Sequence, residues 1–221
     1  MVKRYKVLIV DDHPMIAENY EKAFIEVSLQ DSEIDFNIII AHNSDRAMEI
    51  IENELLDLVF LDIKLPPSLD GKILSGEDLG IKINKKHPNA KIIIATTFND
   101  NFRINSIMKN INPDGFLIKN DINNKEIVTA IKRVITDPPY YSQTVNKFFR
   151  KQTTNNFSID KTDRQLLYEL SIGTKMKDLP NILPLSIAGI EKRKRHLKII
   201  FEVEGQDDKA LIMVAREKGF I

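Results

Sequence analysis

Five short apolar runs, each followed by a longer amphipathic stretch, constrain this chain more than any other feature. The runs are Val7-Leu8-Ile9-Val10, Ile38-Ile39-Ile40-Ala41, Leu58-Val59-Phe60-Leu61, Ile92-Ile93-Ile94-Ala95 and Phe116-Leu117-Ile118. Runs of about four large apolar residues suit strands buried on both faces, as in a parallel sheet. Helical patterns fall between them near 14–27, 44–54, 76–86, 101–110 and 123–136. Alternation of this kind predicts an α/β fold, a doubly wound five-stranded parallel sheet with right-handed crossovers. Asp35 and Asn37 precede the second run, which makes it the candidate edge strand.

Asp137-Pro138-Pro139 ends the fifth helix, because proline cannot extend it and restricts the residue before it. Residues 138–157 read as a linker in which Val145 and Phe148-Phe149 can form a short docked helix. From Asp160 the pattern is purely helical. Asp160 and Asp163 suit a helix start, Leu166, Leu167 and Leu170 supply a stripe, and Gly173 suits its end. A short helix-like piece over 175–183 is bounded by Pro180 and Pro184. Ser186 can cap a helix running to about Phe201, and a last helix covers about 207–218. The expected domains are 1–137, a linker over 138–157, and a small all-α domain over 158–221.

Cysteine is absent, which excludes disulfides and thiolate metal sites. No apolar run approaches the roughly 18 residues of a membrane span. The opening Met1-Val2-Lys3-Arg4-Tyr5-Lys6 runs straight into a strand and does not look like a signal peptide. Cytoplasm is the expected compartment, with no membrane partner. The formal net charge of zero hides a split: −5 over 1–140, +3 over 141–156 and +2 over 157–221. An acidic part is joined to a mildly basic one.

In an open parallel sheet, sites form at the carboxyl ends of strands beside the point where strand order reverses. Those ends carry Asp11-Asp12, Asp62, Thr96-Thr97 and Lys119. With strands in the order 2-1-3-4-5, three carboxylates meet at one mouth, beside a hydroxyl and an ammonium. Clustered carboxylates call for a cation, and oxygen-only ligands suit Mg²⁺. A carboxylate there can attack phosphorus and become an aspartyl phosphate. Mg²⁺, Lys119 and Thr96 would meet the charge on the phosphoryl oxygens.

These residues resemble a known family. Lys6 to Met15, Leu58 to Pro66, Lys91 to Thr97 and Pro113 to Lys119 are similar to the successive signatures of two-component receiver domains of the NarL/LuxR type. The resemblance covers about residues 4–136. It implies that Asp62 is phosphorylated by a sensor histidine kinase. It also implies that Asp12, Asp62 and the Lys64 carbonyl ligate Mg²⁺, with Asp11 acting through water. Thr96 and Phe116 would be the switch pair, the hydroxyl drawn to the phosphoryl group and the ring moving inward. One departure is the loop Pro66 to Gly76, several residues longer than usual. Either Gly71 or Gly76 can take the family's glycine position, and Gly76 continues better into the third helix. The longer loop is expected to alter kinase choice or phosphate lifetime.

At roughly 100° per residue, Ile187, Ile190, Leu197 and Phe201 fall on the core side of the helix that Ser186 opens. Ala188, Lys192, Arg195 and Ile199 fall opposite, flanked by Glu191 and His196. Arg and Lys on that face can reach guanine edges or phosphates in a major groove. Arg193, Lys194 and Lys198 lie nearer the core, where long stems can carry charge outward. Residues 159–221 resemble the LuxR-type helix-turn-helix domain, with departures at Gly189, Glu191, Arg193 and Pro180. The resemblance implies a response regulator whose phosphorylation promotes a homodimer that binds double-stranded promoter DNA. The alternative is a receiver whose C-terminal helices bind a protein. A phosphohydrolase is disfavoured because Lys64, not an acid, stands two residues after Asp62.

Overall fold

The computed structural model describes residues 2–151 and 159–221. The chain divides into two compact units, Met1–Asn99 with Asn110–Thr153, and Asp100–Lys109 with Thr154–Ile221. The linker residues 152–157 and the boundary expected at 157/158 lie outside the described residues.

The first unit is built on a parallel sheet of β1 (Lys3–Val10), β2 (Ile34–Ala41), β3 (Leu58–Leu61), β4 (Lys91–Thr96), β5 (Gly115–Ile118) and β6 (Tyr140–Tyr141). Strand order is β2-β1-β3-β4-β5-β6, with every neighbouring pair parallel. The doubly wound α/β sheet is as expected, and β2 is an edge. The linker supplies a sixth strand that periodicity did not predict, because two residues carry no period. Tyr140 pairs with Gly115 and Tyr141 with Phe116.

Helices α1 (Pro14–Gln30), α2 (Ser44–Asn53), α3 (Gly76–Lys86), α4 (Asn101–Ile111) and α5 (Asn124–Thr136) fall where the pattern placed them. Local chemistry fixes their starts. Pro14 opens α1, where a missing N–H costs nothing. Asn43, Ser75 and Asn123 accept backbone N–H groups at the starts of α2, α3 and α5. Alternate residues Val7, Ile9, Leu58, Phe60, Ile93, Ala95 and Leu117 share one sheet face with the buried stripes of α1 and α5. Helix α6 (Gln143–Lys151) follows β6, and its Val145 and Phe148 are buried.

The second unit contains α7 (Lys161–Ser171), α8 (Ile187–Ile200) and α9 (Asp208–Glu217), with Asp100–Lys109, which includes most of α4, grouped with them. Phe102 lies against the apolar cluster of that unit, and Lys218 pairs with Asp100 at 3.0 Å. Asp160 and Asp163 form a reciprocal capping box at the start of α7. Gly173, at φ +85°, ends the α7 turn in a left-handed conformation that suits glycine. The piece expected over 175–183 is no α-helix: it holds a 3-10 turn, Leu179–Asn181. Pro180 removes a donor there, and Ile182 and Leu183 donate back to the Leu179 carbonyl.

Candidate functional site

β1 and β3 end level with one another and β5 runs two residues further on the same side, so the residues that follow them converge. Lys119, after β5, places its Nζ 2.6 Å from Asp11 Oδ2 and 2.6 Å from Asp62 Oδ2. Asp11 is wholly buried, Asp62 is 3% exposed and the Lys119 side chain 11%, so these are enclosed charges rather than a surface pair. The Asp62 Oδ1 accepts the Lys64 N–H at 2.9 Å, and the Asp11 Oδ1 accepts the His13 N–H at 3.0 Å. Burial pushes the Asp62 carboxyl above its ordinary range, against the pull of the Lys119 ammonium. Burial works against the Lys119 charge, but Asp62 and Asp11 outweigh it and hold the ammonium above its usual value. Tyr20 on α1 is buried close by, and burial with the negative charge of Asp11 and Asp62 raises its phenol.

Asp12 sits at the rim with its side chain 27% exposed. Its Oδ1 lies 2.8 Å from His13 Nδ1, yet that buried atom has no hydrogen-bond partner. One ligand atom from each of Asp11, Asp12 and His13 falls within 4.8 Å of the others. Carboxylate oxygens outnumber the single ammonium, and an acceptor atom is left unsatisfied. That donor set fits a hard divalent ion such as Mg²⁺. His13 was not among the expected site residues. Its place directly after two aspartates was the available signal.

Thr96 is buried at the end of β4, and its Oγ1 accepts the Phe98 N–H at 3.3 Å. Phe116 is fully enclosed in β5, paired with Ile94 on one side and Tyr141 on the other. Thr97 is exposed. The backbone of β5 also carries the linker. Ser142 donates its N–H to the Phe116 carbonyl at 2.9 Å, and its Oγ accepts the Ile118 N–H at 3.1 Å. That hydroxyl and Thr144 both donate to the Asp121 carboxylate.

The longer loop is held by its own bonds. Ser68 Oγ donates to Asp70 and accepts the Ile73 N–H, Asp45 accepts the Leu69 N–H, and Gly71 turns at φ +66°. Ile73 and Leu74 are buried, whereas Leu69 at the tip is 97% exposed. Gly76 presses on the backbone just after β3: a Cβ there would stand 1.9 Å from the Asp62 carbonyl oxygen. Of the two glycines, Gly76 is the one whose place leaves no room for a side chain; nothing lies within 4 Å of a Cβ at Gly71.

In the second unit, Ser186 caps α8 by accepting the Gly189 N–H at 3.2 Å. Ile190, Leu197 and Ile200 are buried, and so is Phe201 just beyond the helix. Ala188, Glu191, Lys192, Arg195 and His196 are exposed, and Ile199 is 44% exposed. Ile187 departs from the expected core side: it is 49% exposed, because the first turn of α8 projects past the cluster that buries Ile190. Arg193, Lys194 and Lys198 depart as well. Arg193 pairs with Asp160 and Asp163, both at 2.8 Å. Lys194 and Lys198 share Asp208, at 3.0 and 2.9 Å. Their stems carry the charge sideways to acids at the starts of α7 and α9, not outward. Helix position alone could not show this, since those acids are distant in sequence.

No helix among the described residues is long and apolar enough to cross a membrane. The family model for the response regulator receiver domain matches residues 7–132. The oxygen regulatory protein NreC of Staphylococcus epidermidis is 23% identical over 205 residues, covering 87% of this chain and 88% of that one. NreC of Staphylococcus haemolyticus is 21% identical over 215 residues, covering 92% and 94%. Among solved structures, RcsB from Salmonella enterica serovar Typhimurium, bound to promoter rprA with the phosphomimetic BeF3−, matches with a TM-score of 0.68. It is 18% identical, covering 96% of this chain and 98% of that one. A lysine-bridged aspartate pair at the strand ends and a receiver match across most of the first unit lead to one assignment: the chain belongs to the response regulator receiver family.

Proposed function

We propose that this chain is a transcription regulator of the NarL/LuxR type, controlled by phosphorylation of Asp62 by a sensor histidine kinase. The observation that carries the reading is the buried bridge from Lys119 to both Asp11 and Asp62. It holds one Asp62 oxygen on a fixed cation while the other accepts the Lys64 N–H. Both groups are placed to bear the charge of an incoming phosphoryl group. Asp11, Asp12, Asp62 and the Lys64 carbonyl would hold Mg²⁺, which neutralises phosphoryl oxygens when bound. Lys119 orients the acceptor carboxylate. Thr96 donates its hydroxyl to the phosphoryl group and, with Phe116, reports the change to β4 and β5. Phosphorylation thus biases a two-state element.

The output is sequence-selective binding of double-stranded promoter DNA by a homodimer, through the outer face of α8. RcsB, of the same fold, has been solved on promoter DNA with a phosphomimetic. Lys192 and Arg195 are the exposed cations of that face. In this reading the domains are 1–137, a linker over 138–157, and 158–221, and the compartment is the cytoplasm. The experiment is incubation with acetyl phosphate and Mg²⁺ followed by mass spectrometry, for wild type and Asp62→Asn. A phosphoryl adduct in wild type, absent from the variant, is expected. An adduct in both, or in neither, overturns the assignment of Asp62. A duplex-DNA shift lost in Lys192→Ala/Arg195→Ala tests the output.

A further inference from the structure

The geometry points to Glu191 as a base-reading residue that selects a cytosine in each half-site, an inference that rests on the DNA-binding reading above. At about 100° per residue, Glu191, Arg195, Ala188, Ile199, Lys192 and His196 follow one another around roughly 140° of α8. All six are exposed, and the helix is buried on its opposite side at Ile190 and Leu197. Glu191 therefore opens this exposed arc, about 40° from Arg195.

Its charge is uncompensated. Among the described residues Glu191 makes no hydrogen bond or ion pair, although Lys194 and Arg195 stand three and four residues further on, where helical pairs form. Lys194 is drawn away to Asp208, and Arg193 to Asp160 and Asp163. These two cations, and Lys198 with Asp208, are held in ion pairs within the second unit. What remains on the arc is two permanent cations and one free carboxylate. A face built only to grip phosphates would not carry an acid there, because phosphate repels it.

An acid facing a major groove has one favourable base-edge partner. Guanine N7 and O6 and thymine O4 are acceptors and repel it, whereas the cytosine N4 amine donates to it. Adenine offers an N6 donor beside an N7 acceptor, a mixed edge that suits Asn or Gln. Position along the helix agrees. Glu191 lies in the N-terminal half, which contacts base edges in helix-turn-helix docking. It stands about 6 Å along the axis from Arg195. That spacing is close to two base-pair steps of about 3.4 Å, so Arg195 can take a guanine or phosphate while Glu191 takes the cytosine.

The test uses the full chain, treated with BeF3− and Mg²⁺, to select from a pool of duplexes randomised over about two helical turns. Wild type and Glu191→Ala are run in parallel. Wild type is expected to enrich a motif with one cytosine per half-site, and Glu191→Ala the same motif with that position relaxed. Anisotropy then compares the selected duplex with one in which 2-pyrimidinone, lacking the exocyclic amine, replaces that cytosine. Wild type should lose about 5-fold or more in affinity, and Glu191→Ala should lose clearly less. Identical motifs from the two proteins, or equal loss on the analogue duplex, overturn the role of Glu191 while leaving DNA binding intact. Failure of wild type to enrich any duplex overturns the DNA reading, and this inference with it.

Discussion

Gly76→Ala should damage both the stability of the first unit and its phosphorylation, and the structure sets the scale. The added Cβ would stand 1.9 Å from the Asp62 carbonyl oxygen, and 2.9 Å from both Asp62 C and Ile63 Cα. Carbon and a carbonyl oxygen rest no closer than about 3.3 Å, so about 1.4 Å must be recovered. The atoms in the way are backbone, and Gly76 is itself fastened to the Ile63 carbonyl at 3.1 Å. No side chain can swing aside. Overpacking of this kind costs about 3 kcal/mol. Moving the Asp62 backbone also pulls its carboxylate off Lys119. Gly71→Ala is the control. Nothing lies within 4 Å of its added Cβ, and its positive φ costs about 1 kcal/mol. Urea unfolding of both variants, with phosphorylation from acetyl phosphate followed by mass spectrometry, separates the two effects. Gly76→Ala with wild-type stability and phosphorylation would refute the claim that the start of α3 is seated on the backbone of Asp62 and Ile63.

Three further expectations follow from the charges. Burial raises the folded pKa of Asp62, so its contribution to stability is fully present below the unfolded carboxyl value and is lost as pH rises through the folded one. Asp62→Asn should therefore melt above wild type at neutral pH in the absence of divalent ions, the gap closing in acid; thermal melts across pH check this, and a gap that widens in acid contradicts it. Asp208→Ala frees Lys194 and Lys198. It should tighten duplex binding and steepen the plot of log affinity against log salt by up to about 0.9 for each phosphate gained; an unchanged slope by anisotropy counts against it. Asp160→Ala removes the α7 cap and one Arg193 partner, for about 1–2 kcal/mol in a thermal melt. A melt unchanged from wild type would show that the capping box contributes little.

The first unit was legible because its signals are local. Buried parallel strands force runs such as Leu58 to Leu61, and the amphipathic stretches between them repeat on a helical period. The aspartates and Lys119 could be brought together from strand order alone, since every strand ends on the same rim. What escaped were features made by partners far apart in the chain. Nothing near Lys198 announces Asp208, and nothing near Arg193 announces Asp160, so cations whose long stems were expected to carry charge outward are drawn aside. Ile187 escaped for a related reason: a wheel assigns an angle but not how far along the axis the core extends.

The two-residue strand β6 also governs what else the sheet can join. A β5 left at the rim would offer unpaired main-chain groups to any other extended peptide, the usual route to runaway association. Here Tyr140 and Ser142 already donate to the Asp114 and Phe116 carbonyls. The added strand cannot itself serve as a long template, with Pro138-Pro139 before it and α6 beginning two residues after Tyr141. On that side, self-assembly is left to side chains on helical surfaces, contacts that can be made and broken without opening the sheet.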